Sequence, residues 1–398
     1  MAEPSDNAGK TSSRTGLVIL LGSLAAMGPF AIDTYLPAFP EIARDFGTDV
    51  AHIGLSLSSY FLGICLGQLV YGPILDRYGR RTPLLWGLGV FAISSLLCAW
   101  APTTEALIAL RFLQALGGCA GMVAGRALVR DLFPDDAADV FSSLMLVMGV
   151  APIIAPAVGG WLTALWGWPS IFYFLGLVSL AVTFAIATRL PTVHVPNQGQ
   201  TLHPVTVARG YLAIFGDRTF LAWGLSGSLV SGGLFAYIAG SPAVYMDLFG
   251  MSKATFSWFF GLNAMGLIGA SQVNRVLLKR FTSERISSVV LVGQSLAGLG
   301  LVASAWFHFA PGVYLLVWLF LFGQGFAFPN TSALAMRPFG VNAGSASALL
   351  GSLQMAAGAI LSGVVSMLPG GTALPMASGM ALSAIGALAL LRIFSVRD

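Results

Sequence analysis

Long apolar runs alternate with short polar breaks along this chain, and the runs share one length. A membrane helix needs about 20 mostly apolar residues. Windows of that size mark twelve runs, at 16–38, 53–75, 83–101, 106–129, 138–162 and 168–189, then at 219–242, 254–278, 286–306, 311–335, 345–368 and 373–393. Apolar residues are continuous within each run and do not alternate, which argues against a β-barrel. The longest polar break runs from about Pro191 to Arg218 and contains Pro191, Pro196, Asn197, Gln198 and Pro204. It splits the spans six and six. The pattern predicts an all-α integral membrane protein with an N-terminal half over 1–190, a linker over 191–218 and a C-terminal half over 219–398. The first fifteen residues are polar and carry Lys10 and Arg14, as a signal peptide would. The apolar run behind them is too long, lacks a clear small-x-small cleavage site and contains Asp33, so it reads as a retained first span.

Composition narrows the class further. Of 398 residues, 56% are hydrophobic and 9% charged, where soluble domains carry about 25% charged residues. Mean hydropathy is +0.82. A soluble enzyme could not coat so much apolar surface, and a disordered chain would not contain it. The net charge of +4 is scattered, so no nucleic-acid partner is expected. The 48 glycines suit close packing of membrane helices. Cys65, Cys98 and Cys119 lie in apolar runs without metal-ligand spacing, and His52, His194, His203 and His308 are isolated. No metal and no other cofactor is expected.

Lysine and arginine placement predicts orientation. With the N-terminus in the cytoplasm, 17 of the 20 basic residues fall in cytoplasmic segments. Arg44 and Lys253 fall outside, and Arg111 falls within a span. Both termini are therefore expected in the cytoplasm. The halves also carry a trace of repetition. Phe30-Ala31-Ile32-Asp33-Thr34-Tyr35-Leu36-Pro37-Ala38 closes the first span, and Phe235-Ala236-Tyr237-Ile238-Ala239-Gly240-Ser241-Pro242-Ala243 closes the seventh, with four of nine positions identical. Repeated halves with a site between them near the midplane are one way transporters are built.

Ionisable groups inside a span are costly and mark function. Asp33 lies roughly 7 Å from the outer end of the first span. Arg111 lies at a similar depth in the fourth. An Asp33–Arg111 pair across the bundle would lower the cost of burying each. The position matching Asp33 in the second half is Ile238, so Asp33 is the leading candidate for a proton carrier. Uncharged polar residues recur in the spans, Gln114, Asn263 and Gln354 among them, and aromatics stand near the same level. Phe30, Tyr35, Phe235, Tyr237 and Phe326, with those three polar residues, are the candidate substrate contacts. An apolar, aromatic pocket with few polar groups suits amphipathic small molecules.

Between the second and third spans lies Gly72-Pro73-Ile74-Leu75-Asp76-Arg77-Tyr78-Gly79-Arg80-Arg81. Gly72 permits close helix contact and Gly79 a tight turn, while Arg77, Arg80 and Arg81 stay among headgroups. This segment resembles the loop signature of the major facilitator superfamily, G-x-x-x-D-[RK]-x-G-R-[RK], with every defined position filled. The resemblance implies that Asp76 braces a cytoplasmic gate through an arginine at the inner end of the fourth span, where Arg130 stands, with Arg126 one turn earlier. Arg111-Phe112-Leu113-Gln114-Ala115 resembles the family's R-x-x-q-G stretch, associated with proton coupling, with Ala115 in place of the usual glycine. Pro152, and then Ala155-Pro156-Ala157-Val158-Gly159-Gly160, resemble the antiporter signature ending G-P-x-x-G-G, which marks exporters. Ile32-Asp33-Thr34-Tyr35-Leu36-Pro37-Ala38 and Arg126-Ala127-Leu128-Val129-Arg130-Asp131 are similar to the bicyclomycin-resistance branch of twelve-span bacterial drug:proton antiporters.

The resemblance implies a monomeric transporter of the bacterial inner membrane that exports amphipathic molecules in exchange for protons by alternating access. Its partners would be a small-molecule substrate, protons and the lipid bilayer. An exporter of a metabolite such as an amino acid is the alternative. An uptake symporter is disfavoured by the fifth-span motif, and a membrane enzyme by the lack of a nucleophile–base or metal constellation.

Overall fold

A computed structural model describes residues 6–190, 204–339 and 343–394. Among the described residues there are helices and turns, with no strand. The first group comprises α1 (Asp6–Asp33), α2 (Phe39–Phe46), α3 (Val50–Ile53), α4 (Leu55–Tyr78), α5 (Arg81–Cys98), α6 (Thr104–Leu132), α7 (Ala137–Trp166) and α8 (Pro169–Arg189). After α9 (Pro204–Phe215) come α10 (Arg218–Pro242), α11 (Lys253–Leu277), α12 (Ser283–Trp306), α13 (Ala310–Met336), α14 (Ala343–Met367) and α15 (Leu374–Phe394). Several begin where the sequence supplies a cap. The side chains of Thr103, Asp217, Ser252 and Thr282 accept a backbone N–H three residues on, at the starts of α6, α10, α11 and α12.

Eleven segments among the described residues are long and apolar enough to cross a membrane. The twelfth expected span, 254–278, corresponds to α11, which has the length but not the hydropathy. Asn263, Gln272 and Asn274 dilute it, and Asn263 and Asn274 are buried against neighbouring helices. Outward-facing side chains such as Trp86, Phe184, Trp258, Leu296 and Leu382 are bare, an apolar exterior that only lipid can cover.

The helices pack by one scheme used twice. In the first six spans, α4 and α5 pack on α6, α5 on α8, and α1 on α6, α7 and α8. In the last six, α11 and α12 pack on α13, α12 on α15, and α10 on α13, α14 and α15. Each pair in one group has its counterpart in the other. Between the groups, contacts concentrate on two seams, α4 against α14 and α7 against α11. Each seam joins the second span of one half to the fifth span of the other.

Part of the expected linker is structured. Residues 191–203 lie outside the described residues, but 204–215 form α9. Its Tyr211 hydroxyl donates to the Leu69 carbonyl at 3.2 Å, and Ile214 joins a cluster with Phe220, Ala335 and Leu349. Twelve residues are too few to span a bilayer, so this helix does not register as an apolar run of span length.

Candidate functional site

Asp33 is the last residue of α1. Just beyond it the Thr34 hydroxyl and N–H both bond the Phe30 carbonyl, and the chain turns into a 3-10 helix over Leu36–Ala38. The Asp33 side chain is 4% exposed. Among the described residues nothing pairs with its carboxylate as an ion pair or hydrogen bond. Its electrostatic neighbour is Tyr237, from α10 in the other half. The Tyr237 hydroxyl accepts a hydrogen bond from Asn263 Nδ2 at 2.9 Å, and its ring stacks on Phe260 with centroids 5.6 Å apart. The fold thus brings Asp33, Tyr237 and Asn263 together where the two halves meet.

The expected Asp33–Arg111 pair does not form. Arg111 is fully buried inside the first half. One terminal nitrogen donates to Gln114 Oε1 at 2.5 Å and the other to the Ala31 carbonyl at 3.0 Å. The guanidinium stacks over Tyr60 at 4.3 Å, Tyr35 at 4.8 Å and Phe172 at 5.9 Å. Equal depth in the membrane placed the two residues at one level, but the helices rotate them onto different faces. Three aromatic rings and two oxygens stabilise the cation where a carboxylate was expected. Arg111 still reaches the Asp33 region, because Ala31 lies two residues before it on α1.

Gln114 continues this network by donating to Ser95 Oγ at 2.7 Å, and Tyr35 shares a hydrogen bond with Ser56 at 3.0 Å. Tyr35 and Gln114 therefore stand in the wall around Arg111. Phe30 is half-buried against the main core. Phe235 meets Phe61 across the halves, with centroids 4.3 Å apart. Phe326 packs on Phe322 within the second half, and Gln354 donates to Ser332 at 3.2 Å between α14 and α13. Of the eight candidate contacts, Phe235, Tyr237 and Asn263 thus lie closest to the meeting of the halves, with Phe30 one turn from Asp33.

At the end of the bundle that carries the 72–81 loop, Asp76 pairs with Arg80 at 2.5 Å, not with Arg130. Arg80 also reaches Asp131 at 3.1 Å, so it ties the end of α4 to the end of α6. The helix ends at Tyr78, so the turn at Gly79, and not a helical face, brings Arg80 back to Asp76. Arg77 lies against the Tyr78 ring, and Arg81 donates to the Ala187 carbonyl, fixing the start of α5 to α8. Gly79 has φ of 82°, as its turn requires. A side chain at Gly72 would meet nothing within 4 Å, so close packing does not explain that glycine. Arg126 and Arg130 line a cavity at this end.

In α7, Pro152 and Pro156 sit inside a continuous helix. A Cβ at Gly159 would overlap the Thr34 carbonyl, and Gly160 faces Ser257 and Pro37. Ser257 of α11 donates to the Pro156 carbonyl at 3.0 Å. The motif on α7 therefore lies against both the Asp33 turn and the other half. A further contact between the halves went unread in the sequence. At the end opposite the loop, Lys253 bridges to Glu41 at 2.6 Å, and Glu41 also accepts the Trp168 backbone N–H at 3.0 Å.

Comparison with known proteins agrees with this architecture. The family description Major Facilitator Superfamily matches residues 19–363. The chain is 37% identical to an uncharacterised MFS-type transporter, YdgK, of Bacillus subtilis, over 94% of each sequence. It is 33% identical to multidrug resistance protein D of Escherichia coli and 31% identical to a bicyclomycin resistance protein homolog of Haemophilus influenzae, each over 90% of this chain and 91% of the relative. A crystal structure of a bacterial homolog of the human lysosomal transporter Spinster superposes with a TM-score of 0.72 at 13% identity, covering 96% of this chain and 95% of that one. The doubled six-helix packing, the filled loop signature and these matches have one reading: the chain is a multi-pass membrane protein that belongs to the major facilitator superfamily.

Proposed function

We propose that the protein exports small amphipathic molecules in exchange for protons, by alternating access between an N-terminal half over 1–190 and a C-terminal half over 219–398. The observation that carries this reading is the buried, unpaired Asp33 at the meeting of the halves, opposite Tyr237 and Asn263. A carboxylate held there without a counter-ion is costly as an anion and cheap as an acid, so its proton occupancy follows which side the halves expose. A proton from outside binds an Asp33 carboxylate oxygen. Its release to the cytoplasm resets the cycle as the next cargo binds. Arg111 couples to this step through the Ala31 carbonyl, holding the end of α1 in register. Cargo lies against Phe30, Phe235 and Tyr237. The names of relatives, a multidrug resistance protein and a bicyclomycin resistance homolog, support antibiotics and similar compounds as cargo. The positive-inside bias supports cytoplasmic termini in a bacterial inner membrane, and the protein is taken to work as a monomer.

Asp33→Asn tests the reading. In liposomes with an imposed pH gradient, the Asn variant is expected to lose gradient-driven export of a labelled drug, down to the level of empty liposomes. It should still bind drug, because the amide mimics the neutral acid in shape. Export by the Asn variant at the normal rate, still driven by the gradient, would refute Asp33 as the carrier.

A further inference from the structure

Two arginines expected at the gate have no gate partner. Arg126 and Arg130 stand one turn apart near the end of α6. Asp76 is taken by Arg80, and among the described residues neither arginine forms an ion pair or hydrogen bond. Both line a cavity of about 340 Å³ at the loop end of the bundle. Val123, Phe141 and Met336 form its apolar wall, and Gln68 adds an amide. From the other half, Gly344 and Ser347 of the first turns of α14 complete it. The positive end of a 25-residue helix dipole therefore borders the same space. No carboxylate is among the described residues that line it.

Basic residues are ordinary at the cytoplasmic face, where they reach out to lipid headgroups. These two point instead into a space walled by helices of both halves. Both are exposed to water in that space, and two like charges one turn apart make it favourable to an arriving anion.

We infer that this cavity recognises the head of an amphipathic organic anion, a carboxylate or sulfonate on an aromatic or alkyl body. Arg126 and Arg130 supply the charge partners, Gln68 and Ser347 the hydrogen-bonding groups, and Val123, Phe141 and Met336 take the body. As cargo recognition, this rests on the exporter reading above and sharpens it: anionic compounds are preferred, neutral ones tolerated and permanent cations rejected by like charge. An anionic lipid has the same chemistry, so the test must separate the two sources.

Three probes with one ring system suffice: 2-naphthoate, 2-naphthylmethanol and (2-naphthylmethyl)trimethylammonium, titrated by equilibrium dialysis against the full-length protein in neutral detergent. Naphthoate is expected to bind about tenfold tighter than the ammonium probe, with the alcohol between. Arg126→Gln and Arg130→Gln should each weaken naphthoate binding about fivefold while leaving the alcohol within about twofold, which reports an intact fold. Arg126→Lys should keep most of the naphthoate affinity, since it keeps the charge. Equal affinity for the anion and the cation, or naphthoate binding unchanged in both Gln variants, would overturn the assignment. Added phosphatidylglycerol separates the sources. A cargo site holds naphthoate affinity within about twofold, whereas displacement by the lipid that vanishes in Arg126→Gln would make this a lipid site and overturn the cargo assignment. Binding needs no gradient. Failure of transport in liposomes would count against the exporter reading and leave the site standing, and loss of anion preference would do the reverse.

Discussion

Arg111 shows how a buried cation is held without a carboxylate. Two of its donors end on Gln114 and the Ala31 carbonyl, and its flat face lies among Tyr35, Tyr60 and Phe172. A lysine has neither the fork nor the plane. Arg111→Lys is expected to fold but to lose most transport, because a single ammonium cannot hold Gln114 and α1 together. Arg111→Ala should also lower thermal stability, since each orphaned buried acceptor costs about 1–3 kcal/mol. Near-normal transport by the Lys variant, measured beside its unfolding temperature, would mean that the register of α1 does not depend on the fork. The depth of Asp33 and of Arg111 could be read from their positions in apolar runs. Their separation could not, because a run fixes how far down a residue lies and not which way its helix is turned. Gln114, three residues on from Arg111 in α6, was legible as a helix-neighbour spacing; Arg80 was not, because the Gly79 turn separates it from the helix that carries Asp76. Opposite charge at one depth favoured the Asp33–Arg111 pair, while Asp76–Arg130 was implied by the family resemblance.

At the scale of elements, α7 carries the tightest constraint. It runs from the loop end to the far end between α1 and α11, and Gly159 is the point where it touches the turn after Asp33. Any side chain at Gly159 meets the Thr34 carbonyl, and backbone does not yield as a flexible side chain would. Gly159→Val is expected to push α7 from the Asp33 turn, cutting transport at least about tenfold with a cost of about 1–3 kcal/mol in stability. Gly72→Val, with open space around it, should leave the fold unchanged. If the Gly159 variant matched the wild-type chain in melting temperature and export, the approach of α7 would be dispensable. The elements themselves were largely legible, because twenty-residue apolar runs have one structural solution in lipid. Less legible was α9, too short to count as a span; α11 was read at 254–278 even though its buried asparagines lower its hydropathy.

For the whole molecule, the question is what holds one arrangement of the halves. The seams α4–α14 and α7–α11 are related by the exchange of one half for the other, as a rocking pair requires. The two ends differ. At the loop end the halves leave the arginine-lined cavity between them, while at the far end the Lys253–Glu41 bridge joins them. Glu41 belongs to α2 and is itself anchored to Trp168 at the start of α8, whose indole donates to Asp45 at 2.8 Å. The bridge therefore fastens α11 to a braced corner of the first half, and opening of the far end must break it. Both partners are partly exposed, at 34% and 23%, so screening by water and salt limits its worth to about 0–1 kcal/mol. Lys253→Gln should accordingly shift the balance toward far-end-open forms by no more than about fivefold. Spin labels across the far end, one on each half, would read the shift as a growing long-distance population. High salt should produce the same change in the wild-type chain and little in the Gln variant. A distance distribution indifferent to both the substitution and the salt would show that the seams alone hold the far end closed.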